Sequence, residues 1–104
     1  LQLFQSQIFF MIYSQYIYMN INELIAIIKK KLQKEILIES LVIEDKSFLH
    51  VKHSGNDPNK FHIKITIESD QLKKQSRLNS NKKIYKILDY EMKQFIHSLQ
   101  ILII

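Results

Sequence analysis

Apolar and polar residues alternate without interruption over residues 61–68, Phe-His-Ile-Lys-Ile-Thr-Ile-Glu. Successive side chains of a strand point to opposite faces, so the apolar residues share one side and the polar residues share the other. β-branched and aromatic residues suit such a half-covered surface. The pattern therefore predicts a strand near the centre of the domain, with His62 on its solvent-facing side.

An amphipathic helix is predicted over residues 21–32, because apolar residues recur there at intervals of three and four. Asn20 and Glu23, three residues later, resemble a capping box in which Asn is the capping residue. Lysines are concentrated near the end of this helix, where the helix dipole favours positive charge. That placement explains the lysines without a ligand, and a nucleic-acid-binding patch is the alternative interpretation.

A second helix is predicted over residues 81–96, with Ser80 or Asn79 as its cap. The polar residues 69–80 before it are interpreted as a loop with at most one helical turn. Two more strands are predicted over residues 37–45 and 98–104. Residues 45–60 hold the only glycine, the only proline, His50 and His53, and the pattern is typical of a long hairpin loop.

The predicted order is α-β-β-α-β. The first two strands form an antiparallel hairpin, and the second helix crosses over to place the last strand parallel to the central one. This is an α/β fold of two layers, a three-stranded mixed sheet with helices on one face.

We assign the domain to residues 21–104. Residues 1–20 carry no charge, and we expect a poorly ordered extension; a targeting or docking segment is the alternative.

Parallel neighbours begin at the same end of a sheet, so the topology brings His97, just before the last strand, toward the loop that carries His50 and His53. Neutral imidazole is a common metal ligand, and a metal or cofactor site is one interpretation. The other is that these are surface histidines, with His97 a cation favoured at a helix C-terminus. His53 and His62 fit that second interpretation.

Composition narrows the function classes. The chain has 104 residues, 46% of them hydrophobic and 24% charged, which is typical of one globular domain. The absence of cysteine excludes disulfides and thiolate metal sites supplied by this chain alone. No nucleophile–base signature and no glycine-rich phosphate loop is present, so we predict that it is not an enzyme.

The net charge of +5 permits an acidic protein or nucleic acid as a partner. A nucleic-acid surface would consist of Lys73, Lys74, Arg77, Lys82, Lys83 and Lys86.

Six short stretches, in order, resemble the BolA-like proteins over about residues 21–101. They are Ser-Phe-Leu-His at 47–50, Phe-His-Ile-Lys-Ile at 61–65, Ser-Asp at 69–70, Ser-Arg-Leu-Asn at 76–79, Ile-Tyr at 84–85 and Ile-His-Ser-Leu at 96–99. The resemblance implies a fold similar to a class II K-homology domain. It also implies a non-enzymatic adaptor that pairs with a monothiol glutaredoxin and shares a [2Fe–2S] cluster with it and with glutathione, in iron–sulfur protein maturation or iron homeostasis.

In that family the C-terminal histidine of an Ile-His-Ala-Leu motif is a cluster ligand, and His97 occupies its place, with Ser98 replacing Ala. A second ligand comes from the hairpin loop in many members, and His53 or His50 is the available residue. Gln and Ser residues interrupt the apolar stretch 1–20, which also lacks the positive start of a secretory signal, so we expect no membrane association and no secretion. We expect a cytoplasmic or mitochondrial protein that is a monomer when alone.

Some BolA-like proteins are linked to transcription, so a nucleic-acid-binding regulator is the alternative function. RNA binding of the usual K-homology kind needs a Gly-x-x-Gly loop, which a chain with one glycine lacks. The family usually has Arg-His before the second helix, where this chain has Ser80 and Asn81, and this departure weakens a nucleic-acid role for that position.

Overall fold

The computed structural model describes residues 19–47 and 60–104 of the chain. Within them lie seven elements: α1 (Ile21–Glu35), β1 (Ser40–Asp45), β2 (Phe61–Glu68), α2 (Asp70–Lys73), α3 (Arg77–Ile87), α4 (Asp89–Gln94) and β3 (Ile96–Ile103). The predicted α-β-β-α-β order is confirmed, with the second helix divided into α3 and α4 and the short α2 before it.

The three strands form one mixed sheet with β2 in the centre. β1 runs antiparallel to β2, with Val42 opposite Thr66, and β3 runs parallel to β2, with Ile101 opposite Ile65. A parallel pair needs a crossover connection, which α2, α3 and α4 provide. The antiparallel hairpin and the parallel crossover predicted from the sequence are both confirmed.

The hydrophobic core lies between the helices and one face of this sheet. β2 contributes Ile63, Ile65 and Ile67, each no more than 2% exposed. The helices cover them with apolar stripes whose fully buried members include Leu24, Ile28, Leu32, Ile84 and Leu88. Burying one such side chain stabilises the fold by roughly 1.5–3 kcal/mol, so the alternation in β2 and the helical stripes specify the same two-layer packing.

Helix α1 begins as predicted. The Glu23 N–H donates to Asn20 Oδ1 at 2.8 Å, and Asn20 Nδ2 donates to Glu23 Oε1 at 3.0 Å. The carboxylate thus bonds to the side-chain amide of the cap, whereas in the usual capping box it bonds to the backbone N–H of the cap. The helix continues to Glu35, beyond the predicted end at Leu32, so all four lysines near its end, Lys29, Lys30, Lys31 and Lys34, lie inside it.

The prediction of one helix over residues 81–96, capped by Ser80 or Asn79, is wrong. The cap of α3 is Ser76, whose Oγ accepts the Asn79 N–H at 3.1 Å. Ser80 lies buried inside the helix and donates its hydroxyl to the Leu72 carbonyl at 2.8 Å. The only apolar residue in the first turn of α3 is Leu78, which is exposed, so hydrophobic spacing did not indicate this turn. Ser76, Asn79 and Ser80 also offered equivalent caps.

Two strand boundaries also differ from the prediction. Residue 37 lies before β1, which begins at Ser40; the Leu37 side chain is 79% exposed and its N–H donates to Gln71 Oε1 at 3.0 Å. β3 begins at Ile96, directly after the last turn of α4. His97 is therefore a strand residue, and its assignment to a helix C-terminus is wrong.

A salt bridge joins α1 to α4. Lys31 Nζ lies 2.8 Å from one carboxylate oxygen of Glu91 and 2.9 Å from the other. The Glu91 side chain is 4% exposed and the Lys31 side chain 40%. A buried carboxylate needs a partner because removal from water disfavours its charge, so this pair ties the first helix to the helix that leads into β3.

Helix α3 also contacts β3 through a hydrogen bond. The Tyr85 hydroxyl donates to the Leu99 carbonyl at 3.1 Å. The bond joins the exposed side of the helix to the backbone of the strand, 14 residues further along the chain.

We expect Lys31→Met to lower the free energy of unfolding by about 2 kcal/mol, measured by urea denaturation at neutral pH. The substitution leaves Glu91 buried without its partner; the loss is smaller than the roughly 3–5 kcal/mol of a fully buried pair because Lys31 is partly exposed. The matched control is Lys93→Met, which breaks an exposed pair with Asp89 and should cost less than about 0.5 kcal/mol. Equal losses in the two variants would contradict the structural role of Glu91.

Candidate functional site at one end of the sheet

A β-bulge marks the end of the sheet where β2 and β3 begin. Phe61 pairs with Ile96, but the next residue of β2, His62, pairs with Ser98. His97 is therefore an extra residue in β3 with no partner in the register. A bulge of this kind changes the direction of side chains and is common next to functional sites.

The bulge lets two consecutive residues of β3 stay out of the core. Ile96 is buried in the core and Leu99 packs against it, while His97 and Ser98 between them are both exposed. In an unbroken strand Ser98 would share the core face with Ile96 and Leu99 would leave it, because successive side chains alternate. Both intervening residues are instead available at the end of the sheet.

His62 lies beside these two residues and is buried, at 4% exposure. Its Nδ1 forms a 2.7 Å hydrogen bond with Ser98 Oγ. Its ring packs against the ring of His97, with centroids 5.0 Å apart and planes inclined by 56°. The prediction that His62 is a surface histidine is wrong: the side chain lies on the sheet face away from the helices, yet these neighbours cover it.

Hydrogen bonds extend from His62 to the end of β1. The His62 N–H donates to Ser47 Oγ at 3.0 Å, and the His62 carbonyl accepts the Lys46 N–H at 2.7 Å. The Ser47 N–H in turn donates to Asp45 Oδ1 at 2.9 Å. His62 is thus bonded to the strands on both sides of β2, and these bonds fix the backbone directly before residues 48–59.

His97, His50 and His53 are the histidines expected to meet at one end of the sheet. His97 lies at the predicted end of the sheet, where β2 also begins. His50 and His53 fall outside the described residues. Within residues 19–47 and 60–104, no group of three or more His, Asp or Glu side chains is placed to hold a metal ion. The described part of the site therefore offers one exposed imidazole, supported by a buried one.

The sequence contains a signal for the bulge. The residues of this strand that pack in or against the core are at positions 96, 99, 101 and 103, so a spacing of three precedes two spacings of two. Leu102 and Ile104 are also apolar and partly hide this pattern in the sequence. A strict strand has only the spacing of two, and the shift indicates an extra residue near position 97 or 98. With that shift recognised, His97 and Ser98 could have been placed on the same side as His62.

The basic residues predicted to bind nucleic acid lie on different sides of the helical layer. Lys73 is in α2, and Lys74 follows it directly. Arg77 and Lys86 are on α3, nine residues apart. That spacing is about two and a half turns, which places them on opposite sides of the helix. Lys82 is exposed, and Lys83 is half-buried on the side of Lys86.

None of the helices in residues 19–47 and 60–104 has the length and hydrophobicity needed to cross a membrane. The fold and the site together define a small two-layer α/β protein. At one end of its mixed sheet lie an exposed histidine, His97, and a buried one, His62. The chain belongs to the BolA-like protein family, whose sequence model matches residues 32–104.

Relatives and solved structures support this assignment. The chain is 34% identical over 73 residues to the DNA-binding transcriptional regulator BolA of Haemophilus influenzae, covering 70% of this chain and 68% of that protein. It is 33% identical over 79 residues to SufE-like protein 1, chloroplastic/mitochondrial, of Arabidopsis thaliana, covering 71% of this chain but only 21% of that protein. The structure of BolA1 from Arabidopsis thaliana matches with a TM-score of 0.64 and 28% identity, over 75% of this chain and 86% of that one.

We expect Ser98→Ala to lower the free energy of unfolding by about 1 kcal/mol, because it removes the hydrogen-bond partner of a buried ring nitrogen. Urea denaturation measures the loss. Gln100→Ala is the matched control: Gln100 is exposed on the same strand, two residues further on, and its loss should stay within about 0.5 kcal/mol. If Ser98→Ala were no more costly than Gln100→Ala, the bond would not stabilise the edge.

Proposed function

We propose that this protein is a non-enzymatic adaptor that binds a monothiol glutaredoxin and shares a [2Fe–2S] cluster with it, in iron–sulfur protein maturation or iron homeostasis. Membership of the BolA-like family supports this, and the observation that carries it is the exposed His97 at the bulge. We assign the activity to the cytoplasm or mitochondria, with the chain a monomer until it meets its partner and not attached to a membrane.

The possible ligands of this chain fit a cluster that is shared with a partner, and they do not fit a cluster that this chain would hold by itself. A [2Fe–2S] cluster takes four ligands, usually cysteine thiolates, and this chain has no cysteine. His97 can supply one imidazole ligand, and the glutaredoxin and its glutathione supply the thiolates. Histidine ligation on one iron raises the reduction potential, as in Rieske centres.

A second imidazole would come from His53 or His50. Both follow Ser47 in the sequence, and the Oγ of Ser47 accepts the N–H of His62. His50 lies three positions after Ser47, which corresponds to at most about 10 Å of chain. His53 has about twice that length, so either residue can reach the side of His97, and we propose His53 first.

His62 has a supporting role in this proposal. Its Nδ1 is engaged with Ser98, and its ring packs against His97. Residues around a metal ligand orient it and influence its affinity for the metal. A buried ring between β1 and β3 holds the exposed imidazole of His97 in a restricted position before a partner arrives.

The test mixes the purified chain with a cluster-loaded monothiol glutaredoxin in the presence of glutathione, and records visible absorption and circular dichroism. We expect a heterodimer whose cluster spectrum differs from that of the glutaredoxin homodimer. His97→Ala should abolish the difference, because the imidazole ligand is lost, and His53→Ala or His50→Ala should weaken it. His97→Cys should restore a mixed cluster with a lower reduction potential, because a thiolate replaces the imidazole.

Gln100→Ala is the control, since it changes an exposed side chain of the same strand and should leave the spectrum unchanged. A mixed-cluster spectrum that survives His97→Ala would show that His97 is not a ligand. If no heterodimer forms with the unmodified chain under reducing conditions, the adaptor function itself is wrong.

Nucleic-acid binding is the second candidate function, favoured by the similarity to the DNA-binding transcriptional regulator BolA of Haemophilus influenzae. Its surface would be formed by Lys73, Lys74, Arg77, Lys82, Lys83 and Lys86. Exposed lysines contact phosphates without reading bases. The division of these residues between two sides of α3 argues against one continuous surface.

We therefore expect weak DNA binding that declines steeply as salt increases, because displaced counterions supply most of the affinity. Fluorescence anisotropy with duplexes of unrelated sequence, at low and at physiological salt, measures it. Nanomolar, sequence-selective binding at physiological salt would contradict this expectation and favour the regulator over the adaptor.

A further inference from the structure

A basic cleft lies between α1 and α3, on the helical layer of the domain. It has a volume of about 520 Å³ and is lined by Lys31, Lys34 and Glu35 of α1 and by Lys83, Lys86 and Ile87 of α3. Lys31 is paired with the buried Glu91 beside it. We propose that this cleft binds a compact oligophosphate, a group of two or three linked phosphates such as nucleotides carry.

Charge is the first observation that supports a ligand. Lys34, Lys83 and Lys86 form no ion pair with any carboxylate of the described residues. Four lysines therefore face two carboxylates, Glu35 in the cleft and Glu91 beneath Lys31, which leaves a net charge of +2. A bound anion with several charges relieves the repulsion among these ammonium groups.

The helix dipole accounts for part of this arrangement. Lys34 and Lys86 lie in the last turns of their helices, where a cation is favoured. The dipole does not require lysines of two helices to border one cavity, and Lys83 lies before the last turn of α3. A bound anion would explain why lysines of α1 and α3 face the same cleft, and the helix dipole does not explain it.

The size and lining of the cleft favour a small phosphate compound. Ligand pockets typically measure about 300–1,000 Å³, and this cleft falls within that range. Lysine is a point charge with three rotatable donors, suited to phosphate oxygens that point in several directions. Half-buried Ile87 and the aliphatic stems of the lysines provide an apolar wall for the rest of such a molecule.

The test is isothermal titration calorimetry of the full chain, without glutaredoxin, with inorganic tripolyphosphate at physiological ionic strength. The variant Lys83→Gln/Lys86→Gln removes two ammonium groups from the cleft. We expect an affinity loss of about tenfold for each lost ammonium–phosphate contact. Lys34→Gln, on the opposite wall, should lose a similar factor, and it gives a second measure that does not depend on α3.

The matched control is Lys73→Gln/Lys74→Gln, which removes the same charge from exposed positions outside the cleft. Its loss should stay within about threefold, because salt screens distant exposed charges. Equal losses in the two double variants would overturn the proposal, since binding would then be diffuse. Absence of measurable binding to the unmodified chain would overturn it as well.

Two further titrations identify the source of the phosphates. A short single-stranded oligonucleotide that binds through Lys83 and Lys86, and is displaced by tripolyphosphate, would support a phosphate site that a nucleic-acid backbone also occupies. An oligonucleotide that fails to compete would support the free compound. A polyglutamate peptide that binds through the same residues more tightly than tripolyphosphate would overturn the phosphate assignment in favour of an acidic protein segment.

Discussion

The pairing of the parallel strands β2 and β3 contains one irregular step. From Ile96 to Ser98 the pairing advances by two residues on β3, while on β2 it advances by only one. The phase of β3 on either side of this step is set by the core, which holds Ile96 before it and Leu99 after it. Hydrophobic burial therefore forces an extra residue out of the ladder, and that residue is His97. The same step brings Ser98 opposite His62, so the hydrogen bond, the ring contact and the exposed imidazole all depend on it.

Local patterns were sufficient for much of the fold. The alternation in β2 and the Asn20 cap with Glu23 each depend on residues within one element, and the structure confirms both. The parallel placement of β3 followed from the crossover rule alone. It also placed His97 at the correct end of the sheet, although the sequence prediction put that residue between the helix and the last strand and not in the strand itself.

The features that could not be predicted depend on contacts between distant elements. Ser76, and not Ser80, caps α3 because Ser80 bonds to the carbonyl of Leu72, a contact that sequence spacing does not reveal. His62 is buried beside the bulge of another strand, where Ser98 bonds to its ring and His97 packs against it. The salt bridge between Lys31 and Glu91 joins residues 60 positions apart in the sequence. Lys31 lines the cleft between α1 and α3 together with Lys34, and the buried Glu91 lies beside it.

β3 is an edge strand of the described sheet, eight residues long and without a charged side chain, which is the kind of strand that invites another chain to extend the sheet. The phenol of Tyr85 already occupies the carbonyl of Leu99, near the middle of that strand. A strand that paired along the middle of β3 would first have to displace this hydroxyl from the Leu99 carbonyl. The Tyr85 side chain therefore makes this part of the edge less ready to accept another chain.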